Sequence, residues 1–75
     1  MPTLDQLRPG QLCRIEKLDG PPELVQRLLE FGLMEGEPIE LLHFAPLGDP
    51  LEILIGGTRL SLRKREAASI TVAIL

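Results

Sequence analysis

The stretch LEILIGGTRLSL, residues 51–62, decides the fold. Leu51, Ile53 and Ile55 alternate with Glu52 and Leu54, and beyond Gly56-Gly57 the residues Thr58, Leu60 and Leu62 alternate with Arg59, Ser61 and Arg63. A period of two means that alternate side chains share one face, the signature of a half-buried strand. Two such runs separated by a glycine pair predict a tight hairpin.

Working outward, the same period recurs three times. Pro38 to Phe44 predicts a strand with Ile39 and Leu41 on one face, and Ile70, Val72 and Ile74 alternate with Thr71 and Ala73 near the end of the chain. In LCRIEKL, residues 12–18, Cys13 and Ile15 alternate against Arg14 and Glu16. Lys64 to Ala68 is too short for more than one helical turn between strands. A second turn is expected at Thr3–Gln6, where threonine followed three residues later by glutamine fits a capping box, and Pro9-Gly10 stops it.

One segment breaks the period. DGPP, residues 19–22, predicts a helix entry with Asp19 or Gly20 as cap and a proline in first position. The helix is expected from Glu23 to Phe31, burying Leu24, Leu28 and Phe31 and exposing Glu23, Gln26, Arg27 and Glu30. Gly32 is placed to end it in a left-handed conformation, with Leu33 folding back in a Schellman stop.

The chain has 75 residues, 44% of them hydrophobic, with two Phe and no Trp or Tyr. That predicts one domain, spanning residues 1–75, around an aliphatic core. A sheet this small buries its apolar face best by curling on itself. The expected fold is therefore mainly β, a small SH3-like barrel of about five strands with one α-helix inserted after the first.

Composition also narrows function. Residues 16–52 hold nine acids against Lys17 and Arg27, whereas residues 53–75 hold Arg59, Arg63, Lys64 and Arg65 against Glu66. Such a dipolar chain steers encounter with charged partners. It lacks the basic excess and interleaved aromatics of a nucleic-acid binder. The single cysteine, Cys13, forms no internal disulfide. With no signal-peptide pattern and no run of ~20 apolar residues, a soluble cytoplasmic protein is expected. There is no glycine-rich phosphate loop with its lysine and no nucleophile–base pair, so no enzymatic activity is expected.

Three blocks, RLLEFGLMEGEPI (27–39), FAPLGDP (44–50) and LSLRKREA (60–67), stand in an order and spacing that resemble the FeoA family of bacterial ferrous iron uptake. Leu4, Leu7 and Gly10 agree with that family's N-terminal pattern, so the resemblance covers essentially the whole chain. By position, the pattern falls on Arg27, Leu29, Gly32, Leu33 and Gly36, on Ala45, Pro46, Gly48, Asp49 and Pro50, and on Leu60, Leu62, Arg63, Glu66 and Ala67. Phe31 departs from it, a Leu or Met being more usual before that glycine. The resemblance implies an SH3-like fold and a partner, the FeoB-type ferrous iron transporter, met at its cytosolic GTP-binding domain without insertion into the membrane. The module also resembles the C-terminal domain of iron-dependent repressors, although residues 1–75 contain no helix-turn-helix pattern, and a repressor is not the expected reading.

Within that frame FAPLGDP is first a turn, with Pro46 setting φ, Gly48 taking a positive φ and Asp49 bonding nearby backbone N–H groups. Pro46, Leu47, Asp49 and Pro50 would also form a stiff rim that loses little entropy on docking. Leu29, Leu33 and Met34, off the helix stripe or beyond its end, either share one groove with that rim or cap the open end of the barrel. Arg63, Lys64 and Arg65 are candidates for recognising an acidic patch. For a metal the weak candidates are Cys13 and His43, with Glu35, Glu37 or Asp49 as oxygen donors, none at ligand spacing. The expected function is a non-enzymatic accessory that modulates the transporter by protein contact; the alternative is a small carrier or sensor of Fe²⁺ or Zn²⁺.

Overall fold

Strands β1 (Leu12–Leu18), β2 (Pro38–Phe44), β3 (Leu51–Ile55), β4 (Thr58–Leu62) and β5 (Ile70–Ile74) form one antiparallel sheet in the computed structural model, which describes residues 1–75. Their order is β4-β3-β2-β1-β5. Helix α1 (Pro22–Glu30) follows β1, and a single turn, α2 (Lys64–Ala67), joins β4 to β5. The chain thus passes directly between the two ends of the sheet, and the molecule measures 29 × 25 × 24 Å. Leu62 of one edge strand and Ile70 and Val72 of the other share one buried core, so the sheet curls on itself, and the architecture is SH3-like as expected.

The hairpin that decides the fold pairs as its alternation requires, with Ile55 opposite Thr58, Ile53 opposite Leu60 and Leu51 opposite Leu62. Cys13, Ile15, Ile39, Leu41, Leu51, Ile53, Leu62, Ile70 and Val72 project into one core with Leu4, Leu7, Leu28, Leu33 and Ala67. Two β-bulges adjust the pattern, between Ile15 and Lys17 and between Leu41 and His43. Strict alternation from Leu41 would carry His43 into the core; the extra residue turns it outward, where it is exposed.

Two expectations change. The helix is capped by Pro21, with neither Asp19 nor Gly20 in that position: the Pro21 carbonyl accepts the N–H groups of Leu24 and Val25 at 3.0 and 3.1 Å. Asp19 instead donates its N–H to Ser69 O (2.7 Å), tying the loop to the start of β5. Phe31 is exposed, its ring 5.6 Å from the Arg27 guanidinium carbon, because the helix ends at Glu30 and the burial passes to Leu33. Ile74, in alternation with the buried Ile70 and Val72, is itself exposed at the end of β5.

The helix stop is the Schellman motif the sequence predicts. Gly32 takes φ +92°, its N–H reaches Leu29 O at 2.9 Å, and the Leu33 N–H reaches Leu28 O at 3.1 Å. Leu33 then turns back onto Leu28, both fully buried.

Candidate protein-docking site

The turn between β2 and β3 is locked from within and from its neighbour. The Ala45 N–H donates to Pro50 O (2.8 Å), and the Gly48 N–H to Ala45 O (2.7 Å) with Gly48 at φ +87°. The peptide bond before Pro50 is cis. Asp49 Oδ1 accepts the Lys64 N–H at 2.9 Å, so the turn is fastened to the first residue of α2. Leu47 at its tip is 97% exposed.

Asp49, Arg63 and Arg65 line one cleft of about 360 Å³. Arg65 also lines a larger one, about 470 Å³, between α1 and α2, shared with Pro21, Glu23, Leu24, Arg27, Glu66 and Ser69. At the base of this cleft Glu66 is buried. Its Oε1 accepts the Arg63 N–H at 2.8 Å and its Oε2 lies 3.2 Å from Arg27 Nη1. One carboxylate thus caps α2 and holds α1 against it. Arg63, Lys64 and Arg65 are themselves exposed, and none makes an ion pair.

The expected groove is therefore redistributed. Leu33 belongs to the core, fully shielded, and offers no surface to a partner, because its backbone serves the Schellman stop. Leu29 and Met34 are exposed, yet no cleft is lined by them together with Pro46, Leu47, Asp49 and Pro50. The rim meets the basic residues instead, through Asp49. Sequence reasoning singled out neither the Arg27–Glu66 pair nor the cleft above it. The only local signal is Glu66 three residues after Arg63, which has capping-box spacing without the usual Ser or Thr.

The metal candidates do not converge. Cys13 points into the core, and burial pushes its thiol up to about 11, away from the thiolate a metal requires. His43 faces solvent, with Nε2 3.2 Å from Glu52 Oε1. No three His, Cys, Asp or Glu side chains gather as a ligand set. The residues present do not fit a built metal centre.

No helix is long and apolar enough to cross a membrane. Residues 3–74 match the FeoA domain family. A Porphyromonas gingivalis fusion of Fe(2+) transport protein A with the Fe(2+) transporter FeoB is 33% identical over 72 residues, which are 96% of this chain and 8% of that protein. The FeoA protein of Chlorobium tepidum superposes with a TM-score of 0.90 at 38% identity, over 97% of this chain and 70% of that one. FeoA of Stenotrophomonas maltophilia, an SH3 domain protein complexed with zinc, gives 0.82 at 30% identity, over 96% and 89%. The manganese regulator SloR, at 16% identity, shares the fold alone, with a TM-score of 0.85 over 97% of this chain and 34% of that one. The match over residues 3–74, together with the superposition on solved FeoA proteins, shows that this chain belongs to the FeoA family.

Proposed function

We propose that the chain docks on the cytosolic part of a FeoB-type ferrous iron transporter and modulates uptake by contact alone. The observation that carries this is the fusion relative, in which a similar segment is part of one polypeptide with FeoB. Covalent linkage raises effective concentration, which serves two modules that bind each other. In this chain the contact would be made by Leu47 at the tip of its pre-ordered turn, by Arg63, Lys64 and Arg65 beside it, and by exposed Leu29 and Met34 at the exit of α1. A turn fixed by three hydrogen bonds loses little freedom when covered. The basic residues favour an acidic counterpart and make association salt-sensitive.

Capture of the chain by the immobilised cytosolic portion of FeoB tests this at two salt concentrations. Leu47→Glu and Arg65→Glu should each weaken capture about tenfold or more, and higher salt should weaken the native complex. Undiminished capture of both variants would reject the surface; no capture of the native chain would reject the partner.

A second reading, a transition-metal carrier or sensor, is favoured by the zinc in the Stenotrophomonas maltophilia relative. Here it would rest on His43 and Glu52, two exposed donors. Anaerobic titration calorimetry with Fe²⁺ and Zn²⁺ separates the two readings: stoichiometric sub-micromolar binding lost in His43→Ala supports a carrier.

A further inference from the structure

The two edges of the sheet are treated differently by the chain. The outer edge of β5 is covered: the Val72 N–H donates to Pro2 O at 3.0 Å, and Thr3 bridges Thr71. The outer edge of β4 is bare. Thr58–Leu62 pairs with β3, and no other backbone or side-chain hydrogen bond reaches these five residues except that of Arg59 Nη1 to Glu52 Oε1, 3.4 Å away. Thr58, Arg59 and Ser61 are exposed and Leu60 is half-buried. A row of free N–H and C=O groups is a template for one more strand.

Beside this edge lies a cleft of about 230 Å³, between the exit of α1 (Phe31, Gly32) and the hairpin (Ile55, Gly56, Thr58, Leu60), with Glu37 at its rim. Thr58, Leu60 and Leu62 share the inner face of β4, and Leu62 is buried. An added strand would therefore turn every second side chain toward Phe31 and Leu60, which suits an aliphatic residue. Its other side chains would stand on the outer face beside Arg59 and Ser61. Residues 58–65 carry Arg59, Arg63, Lys64 and Arg65 and no acid; Arg59 is 3.4 Å from Glu52 and Glu37 lies at the cleft rim, so the unpaired positive charge is that of Arg63, Lys64 and Arg65. A second copy pairing edge to edge would align two such basic stretches along one seam and be repelled, whereas a segment carrying carboxylates would be drawn in.

We propose that β4 is a docking edge for an extended segment of a partner protein, alternately aliphatic and acidic, which joins the sheet as a sixth strand. Backbone hydrogen bonds supply the affinity, the cleft by Phe31 and Leu60 selects the inward side chains, and Arg59 selects the outward ones. The contacts are made by β4, Phe31 and Gly32 and by neither Leu29, Met34 nor Leu47; only the positive field of residues 63–65 is shared with the transporter reading.

The probe is a synthetic peptide of alternating valine and glutamate, titrated into the uniformly ¹⁵N-labelled full chain. Amide signals of Thr58–Leu62, Phe31 and Gly32 should shift together, and exchange of the β4 amides should slow. N-methylating alternate peptide amides removes the donors a strand needs and should weaken binding about tenfold or more. Arg59→Glu, at an exposed site, should do the same while the chain stays folded. Equal binding of the N-methylated peptide, shifts confined to Arg63–Arg65, equal binding of a valine–lysine peptide, or no shift at millimolar peptide would each overturn the proposal. Concentration-dependent dimerisation through the β4 amides would overturn the choice of partner.

Discussion

Glu66 Oε2 lies 3.2 Å from Arg27 Nη1, across the cleft between the two helices, while its other oxygen holds the Arg63 N–H. The two halves of this arrangement differ in worth. Glu66 is 4% exposed at the side chain and Arg27 58%, so the ion pair is half in water and contributes less than about 1 kcal/mol. The bond to the Arg63 N–H is an N-terminal cap worth about 1 kcal/mol, and losing it leaves a shielded donor unpaired. Glu66→Ala should therefore cost about 2 kcal/mol in urea unfolding, and Arg27→Ala less than half of that. Glu66→Gln, which keeps an acceptor for Arg63, should resemble Arg27→Ala. If Arg27→Ala costs as much as Glu66→Ala, the ion pair outweighs the cap and this apportioning is wrong.

Cys13 makes a pH prediction whose sign is fixed by its burial. Removal from water raises the thiol from its ordinary value near 9 to about 11. Below pH 9 both folded and unfolded chains carry the proton and the residue adds no pH dependence. Between about 9 and 11 the unfolded thiol ionises and the folded one does not, so stability falls as pH rises, by at most ~2–3 kcal/mol. Cys13→Ala should lower stability at neutral pH by about 1 kcal/mol through lost packing, yet flatten its decline above pH 9. Thiol labelling at pH 8 should be slow and should accelerate with denaturant. Rapid labelling of the native chain would mean that the core at Cys13 is open.

Leu33 and Leu47 separate folding from docking. Leu33 is fully buried behind the Gly32 stop, so Leu33→Ala should cost about 2–5 kcal/mol. Gly32→Ala should cost about 1 kcal/mol, because a side chain at φ +92° is strained even where space is free. Leu47→Glu, at a tip 97% exposed, should leave the denaturation midpoint within a few tenths of a kcal/mol. A destabilising Leu47→Glu would show that the turn has a packing role and would disqualify it as a clean docking probe.

These contrasts mark what was legible in the sequence. Period two in LEILIGGTRLSL and glycine at position 32 carry their own geometry, since alternation and left-handed backbone are local facts. The hairpin run supplies β3 and β4, the same period at 12–18, 38–44 and 70–74 supplies the other three strands, and Gly32 supplies the helix stop. Leu33 was read both as part of that stop and as surface, and local pattern alone does not choose between these; the backbone bonds to Leu28 do. Phe31 shows the same limit, its stripe position being overruled by the end of the helix one residue earlier. The Asp49–Lys64 and Arg27–Glu66 contacts join residues 15 and 39 positions apart, and no sequence period encodes them. The outward turn of His43 depends on a bulge that alternation does not announce.

Asp49 is the member of the proposed docking rim whose role can be isolated by chemistry. Its Oδ1 accepts the Lys64 N–H at 2.9 Å, one of the donors left free at the start of α2. The contact is exposed, so it has the worth of a surface cap, about 1 kcal/mol. Asp49→Ala should lose that much stability and speed exchange of the Lys64 amide, whereas Asp49→Asn, which still presents an oxygen, should lose only a few tenths. Capture by the transporter fragment adds a second readout. If the bond serves docking by holding the 45–50 turn against the basic residues, Asp49→Ala should weaken capture and Asp49→Asn should largely restore it. Equal loss in both variants would mean that the carboxylate charge itself meets the partner, and the turn would then be a contact in its own right rather than a support for Leu47 and Arg65.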